Sequence, residues 1–180
     1  MTYLAPYLSP LGPITLASDG ECLTGLWFDG QKYDRASLHG AIAVDAPSPE
    51  VLVEACHWLD LYFAGEVPDF VPKLRVEGSP FRQSVAEVML TIPYGGTMTY
   101  GEIGRLLAAR MGRPSMSAQA VGGAVGHNPI SLIIPCHRVV GSMGSLTGYA
   151  GGLDRKAWLL RHEAEHADVA VGDISFSLRP

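Results

Sequence analysis

Three helix starts follow one another between residues 79 and 117, and no other feature constrains the fold of this chain so tightly. Ser79 stands directly before Pro80: a capping hydroxyl, then a proline whose missing N–H is harmless in a first helical turn. Phe81, Val85, Val88 and Met89 recur at helical spacing, and Ile92-Pro93-Tyr94-Gly95-Gly96 ends the run. Thr99 begins a second helix. Glu102, three residues on, completes a capping box, and Ile103, Leu106 and Leu107 make the inward face. Met111 to Ser115 is a turn, and Ser117 caps a third helix over Ala118–Gly126. Three short helices followed by strand-like sequence predict a helix-turn-helix of winged type.

The third helix is built almost wholly of small residues. Reading base edges in a major groove needs long polar side chains, and this helix has mostly methyls and hydrogens. Its Gly122-Gly123 pair costs about 1–2 kcal/mol of helix propensity. Two readings stay open: a tightly packed core helix, or a helix thin enough to enter a narrow groove.

Upstream, residues 1 to 30 read as strands. Ile14–Ala17 and Leu23–Phe28 flank the turn residues Ser18-Asp19-Gly20-Glu21, which predicts a β-hairpin with Cys22 packed at its second strand. Asp29 to Pro49 is loop-like. Glu50 to Ala64 carries Leu52, Ala55, Cys56, Leu59 and Phe63 at spacings of three or four, an amphipathic helix begun by Ser48 or Pro49 and stopped by Gly65. Val67 to Glu77 is a proline-bearing linker with a possible strand at Lys73–Val76. We place a boundary near Gly78. The expected architecture is α+β: a small N-terminal α/β domain over 1–78, a winged helix-turn-helix domain over 79–163, and a tail over 164–180 with an alternating stretch, Ile174–Leu178. Nothing in the first domain looks catalytic.

The net charge is -5, yet the distribution matters more. Residues 1 to 78 carry 4 Lys/Arg against 11 Asp/Glu, residues 79 to 163 carry 8 against 4, and residues 164 to 180 carry 1 against 3. Positive charge is confined to the helix-turn-helix block. Phosphate attraction acts over about a Debye length, ~8 Å in physiological salt, so this local excess predicts weak, salt-sensitive binding to nucleic acid. No apolar run approaches the ~18 residues of a membrane span, and the N-terminus lacks the pattern of a signal peptide. Three cysteines at unrelated spacings make no disulfide framework.

The chemistry concentrates in Ile133-Ile134-Pro135-Cys136-His137-Arg138-Val139-Val140. An apolar strand is expected to run into the proline, with cysteine and histidine side by side beyond it. Histidine is the usual acceptor of a thiol proton. In an extended segment, however, neighbouring side chains point to opposite faces, so His137 would reach the thiol only through a bend or a bridging water. The alternative is a buried inert cysteine beside a surface histidine.

The surrounding sequence decides between them. Asn128-Pro129 precedes the motif. Gly148-Tyr149-Ala150-Gly151-Gly152-Leu153 follows it, and Trp158-Leu159-Leu160-Arg161-His162-Glu163 closes the block. With Pro93-Tyr94-Gly95 and Thr99-Tyr100-Gly101-Glu102-Ile103, the chain resembles the O6-alkylguanine-DNA alkyltransferases from about Ser79 to Glu163. Upstream, Ser9-Pro10-Leu11-Gly12 and Tyr62-Phe63-Ala64-Gly65-Glu66 fit more loosely.

The resemblance implies a ribonuclease H-like first domain and a DNA repair protein. It would act on O6-alkylguanine in double-stranded DNA, with O4-alkylthymine left open. Its small third helix would lie in the minor groove, and the damaged nucleotide would be swung out of the stack. Cys136 would be the nucleophile, deprotonated through His137 backed by Glu163. Asn128 would be the hinge joining the third helix to the active-site segment. Tyr100 would displace a backbone phosphate and donate to the base. The Val139 carbonyl, like that of Cys136, would accept from the guanine amino group, Tyr149 would wall the pocket, and the Ala150 amide would donate to O6. Arg138 would fix the loop. Gln119 stands where the family usually has an arginine that fills the gap left by the flipped base; Arg110 or Arg113 on the lengthened turn are candidates to compensate. Transfer to sulfur would be irreversible, so the protein would act once, as a cytoplasmic monomer, without cofactor or metal. Some relatives carry zinc in the first domain, but Cys22, His39, Cys56 and His57 lack ligand-pair spacing. The rival reading is an alkyltransferase-like lesion sensor, which commonly has tryptophan in place of the cysteine.

Overall fold

The computed structural model describes residues 1–33, 38, 42–43 and 49–167. Three strands, β1 (Tyr3–Ser9), β2 (Gly12–Ser18) and β3 (Leu23–Phe28), form an antiparallel meander, and the two-residue β4 (Ile42–Ala43) adds in parallel to β1, giving the order β3-β2-β1-β4. The expected hairpin pairs Ile14 with Phe28 and Leu16 with Leu26. Its turn is set by Asp19, whose Oδ1 accepts from the amides of Glu21 and Cys22. Helix α1 (Glu50–Phe63) packs on this sheet through Leu52, Ala55 and Leu59. Its buried stripe also takes Val51, Trp58 and Tyr62, whereas Cys56 and Phe63 lie half-buried at its edge. Size explains the rotation: Trp58 and Tyr62 remove more apolar surface from water than a cysteine would.

Beyond the linker, α2 (Pro80–Leu90), α3 (Tyr100–Arg110) and α4 (Ala118–Gly126) pack on one another. All three caps form: Ser79 accepts from the Arg82 amide, Thr99 and Glu102 make the reciprocal box, and Ser117 accepts from the Ala120 amide. On α3, Ile103 and Leu107 are buried but Leu106 is exposed; Gly104 and Ala108 take the remaining inward positions, where α4 approaches. The two-residue strands β5 (Met98–Thr99) and β6 (Val139–Val140) pair in parallel, setting the start of α3 beside the Cys136 segment. Helix α5 (Leu153–Ala167) closes the chain.

One expectation is corrected. The apolar run before Cys136 is not a strand: Ser131–Ile133 turn, with Leu132 at φ 68°, and the Ile134 amide donates to the Ile130 carbonyl. The run is apolar because Ile130, Leu132, Ile133 and Ile134 are all buried, and total burial gives the same composition whatever the backbone does. Helix α5 continues past Glu163, so that residue is internal to the helix and fully buried. The stretch Ile174–Leu178 and His39 lie outside the described residues. One apolar cluster spans both halves of the molecule. They are also joined through backbone: the Leu26 amide donates to the Pro129 carbonyl and the Ser131 amide to the Leu26 carbonyl, so the segment leading to Cys136 is stitched to the edge of β3.

Candidate active site

Pro135 ends the turn, and Cys136–Arg138 forms a single 3-10 turn rather than an extended dipeptide. Successive side chains in a 3-10 turn diverge by about 120°, so Cys136 and His137 face different neighbours. Asn128 fixes the approach. Its Nδ2 donates to the carbonyls of Ile130 (3.1 Å) and Ile134 (2.8 Å), and its Oδ1 accepts from the Ile130 amide (3.1 Å). Because Asn128 directly follows the end of α4, one amide ties the small-residue helix to the cysteine segment.

The Cys136 thiol is buried. Burial pushes it up from its ordinary value, opposed by the Asn128 amide, the Lys156 ammonium and the Ser131 hydroxyl. At neutral pH it therefore rests as a thiol. His137 is wholly buried and its Nε2 lies 2.6 Å from Glu163 Oε1. An ionised carboxylate only accepts, so Nε2 carries the hydrogen and Nδ1 the lone pair. Nδ1 is buried and has no hydrogen-bond partner among the described residues.

Glu163 accepts from five donors. Oε1 takes His137 Nε2, Tyr62 Oη (2.9 Å) and Arg138 Nη2 (3.0 Å); Oε2 takes Arg138 Nε (2.8 Å) and the Gly95 amide (3.0 Å). Burial alone would push this carboxyl up. The His137 ring and the Arg138 guanidinium outweigh it and hold the group well below the usual carboxylate range. His137 is lowered by burial, with Glu163 opposing. Arg138 also donates to the Ile92 carbonyl (2.7 Å), so its guanidinium is spent on the framework. At Gly95, φ is +75° and an added Cβ would lie 2.6 Å from that of Ala167, so only glycine brings this amide to the carboxylate.

The remaining residues singled out from the sequence surround this centre. Tyr100 Oη donates to the carbonyls of Thr147 (3.2 Å) and Gly148 (3.1 Å), bracing the loop beyond β6. Tyr149 buries its hydroxyl without a partner among the described residues, and its ring fits because residue 151 is glycine: a Cβ there would lie 2.7 Å from the ring. The Ala150 carbonyl accepts from the Lys32 amide (3.0 Å), anchoring that loop to the N-terminal half. The Val139 carbonyl already accepts from Lys156 Nζ (2.6 Å), and the Cys136 carbonyl from the Val139 amide. A carbonyl oxygen carries two lone pairs, so a carbonyl with one donor can accept a second. Gln119 is exposed on α4, away from the thiol network. Beside it a groove of about 300 Å³ is lined by Tyr100, Arg105, Ala108, Arg113 and Met116.

Sequence reasoning missed Lys156 and Tyr62. Lys156 is fully buried, donates to the Val139 and Thr147 carbonyls, and is lowered to about 8 by burial, with the Cys136 thiol opposing. The signal was present: Lys156, Leu159 and Glu163 share one face of α5 at spacings of three and four. Tyr62 comes from the half of the molecule that held no visible chemistry. Among the described residues no group of three or more His, Cys, Asp or Glu could hold a metal ion.

Two family models match this chain. The ribonuclease-like domain of 6-O-methylguanine DNA methyltransferase matches residues 2–76, and the DNA binding domain of the same family matches residues 80–165. The chain belongs to the 6-O-methylguanine DNA methyltransferase family. Among curated relatives, a methylated-DNA–protein-cysteine methyltransferase of Mycobacterium tuberculosis is 46% identical over 159 residues, covering 88% of this chain and 90% of its own. One of the same name from Methanosarcina acetivorans is 45% identical over 166 residues, 89% of this chain and 97% of its own. The crystal structure of Mycobacterium tuberculosis OGT in complex with DNA superposes with a TM-score of 0.78 at 43% identity, covering 91% of this chain and 94% of that one. For a 6-O-methylguanine DNA methyltransferase, the α+β architecture and the winged helix-turn-helix are the family fold.

Proposed function

We propose that this chain repairs double-stranded DNA by moving an alkyl group from guanine O6 to Cys136 Sγ, once per molecule. The observation that carries the reading is the polarised pair behind the thiol: Glu163, held ionised by five donors, fixes the His137 tautomer so that Nδ1 is the free acceptor. The Cys136 proton passes through a bridging water to Nδ1, and the imidazolium is stabilised by Glu163. The Sγ–C bond forms as the O6–C bond breaks, and guanine leaves intact after regaining a proton. The product is a thioether with no ready reversal, so no second turnover follows. Neither cofactor nor metal has a step in this scheme.

In this reading α4 enters the minor groove and Gln119 fills the space left by the flipped nucleotide without the charge of an arginine. Tyr100 moves its hydroxyl from the loop carbonyls to the substrate, Tyr149 walls the pocket, and the Val139 carbonyl and Ala150 amide read the guanine edge. Residues 1–78 and 79–163 act as two domains of one monomer, with α5 carrying the second on to Ala167. A working thiol suits the reducing cytoplasm.

The test is intact mass after incubation with duplex DNA holding one O6-methylguanine, beside Cys136→Ala. A stoichiometric gain of one methylene that maps to Cys136 and vanishes in the variant is the expected result. Binding of the duplex without a mass change would overturn transfer in favour of a lesion sensor.

A further inference from the structure

Helix α1 ends against the functional turn of α5. Tyr62, fully buried on α1, grips two successive α5 residues: its Oη donates to Glu163 Oε1 at 2.9 Å, and its backbone carbonyl lies 2.7 Å from His162 Nε2. Its ring stands edge-on to that of His137, with centroids 6.4 Å apart and planes at 76°. Trp58 stacks on Tyr62 from the preceding turn, at 5.2 Å. The hydroxyl therefore meets the very oxygen that His137 Nε2 uses. We propose that the N-terminal domain is part of the catalytic apparatus, with Tyr62 as a positioning residue whose hydroxyl aims Glu163 and tempers its pull on the His137 proton. This rests on the transfer reading above and deepens it.

The physical argument is a competition for one oxygen. A carboxylate oxygen that also accepts from a tyrosine has less density to offer an imidazolium. Without that hydroxyl, Glu163 binds the His137 proton more tightly, and His137 protonates at higher pH, where it can no longer take the thiol proton. The other charged or titratable groups facing the pair are Arg138, Lys156, Tyr94 and Tyr149, and His162 faces the Tyr62 ring. Arg138 Nη2 shares Oε1 with the hydroxyl, and all of these groups are present in every variant of residue 62.

The experiment follows the His137 ring by NMR titration and, in parallel, the single-turnover transfer rate against pH on an O6-methylguanine duplex. It compares the parent chain, Tyr62→Phe, Tyr62→3-fluorotyrosine (same shape, stronger donor) and Trp58→Phe. Tyr62→Phe is expected to raise the His137 midpoint by about half to one pH unit, and to cut transfer about three- to tenfold on the acid side. The fluorinated side chain should move the midpoint the other way. Trp58→Phe, which thins the same cluster but keeps the hydroxyl, should lower Tm and leave the midpoint in place. Coincident His137 curves for parent and both Tyr62 variants would overturn the proposal, as would an equal shift from Trp58→Phe. Because the NMR titration does not depend on transfer, a parent chain that fails to alkylate Cys136 sinks the transfer reading separately.

Discussion

At the scale of single residues, Lys156 shows how a charge becomes useful once it is buried. Its ammonium holds the Val139 and Thr147 carbonyls and stands near the Cys136 thiol, where it opposes the upward push of burial. Lys156→Met removes the cation and both donations while keeping much of the volume. We expect the rise of the transfer rate with pH to move up by about one unit, with about a tenfold loss at neutral pH, in single-turnover assays. An unchanged profile would mean that Lys156 only braces the loop. Cys136, His137 and Glu163 were readable as residue types in a motif. The five-donor shell of Glu163 was not, because Tyr62, Gly95 and Arg138 approach it from three separate stretches of chain.

Among the elements, α4 carries the sharpest contrast between stability and function. Among the described residues nothing lies within 4 Å of where a Cβ would stand on Gly122 or Gly123, so packing against them does not demand glycine at either position. Gly123→Ala should therefore raise stability by up to about 1 kcal/mol, read as Tm. If α4 lies against DNA, the same methyl should weaken binding to an O6-methylguanine duplex severalfold. A gain in Tm with unaltered affinity would place α4 away from the groove. The caps of α2, α3 and α4 could be read from sequence because capping is local: side chain and amide lie within three residues. The turn at Ser131–Ile133 could not, since the bonds that bend it come from Asn128 and from the edge of β3.

Taken as a whole, the molecule has its most buried charges at the seam between its halves, and acid should find them. Glu163 is held below its ordinary value of 4.5, so its contribution is complete above that pH and is lost as pH falls below it. His137 is held below 6.5, so its contribution is complete above 6.5 and the unfolded chain binds the proton first as pH drops. Both signs run the same way. Thermal melts should lose stability from about pH 6.5 downward, by at most ~1.4 kcal/mol per pH unit for each group. A steeper loss is expected below about pH 4.5, and Glu163→Gln should lack that lower phase. A flat Tm between pH 7 and 4 would contradict this account. The same seam qualifies the positive charge of residues 79–163. Arg138 and Lys156 are buried and Arg155 lies against Phe28, which leaves Arg82, Arg105, Arg110, Arg113 and Arg161 exposed.

What the sequence determined alone was whatever short-range chemistry decides: the meander and its turn, the caps, the small-residue helix, and the Pro-Cys-His-Arg motif with its distant glutamate. Tertiary structure decided which of those groups meet. It made Cys136–Arg138 a 3-10 turn, carried α5 past Glu163, and brought a tyrosine from α1 and a lysine from the apolar face of α5 to the site. The reason is physical. A cap forms between neighbours in the chain, whereas a buried carboxylate must recruit every nearby donor to offset its lost hydration, and those donors come from wherever the fold places them.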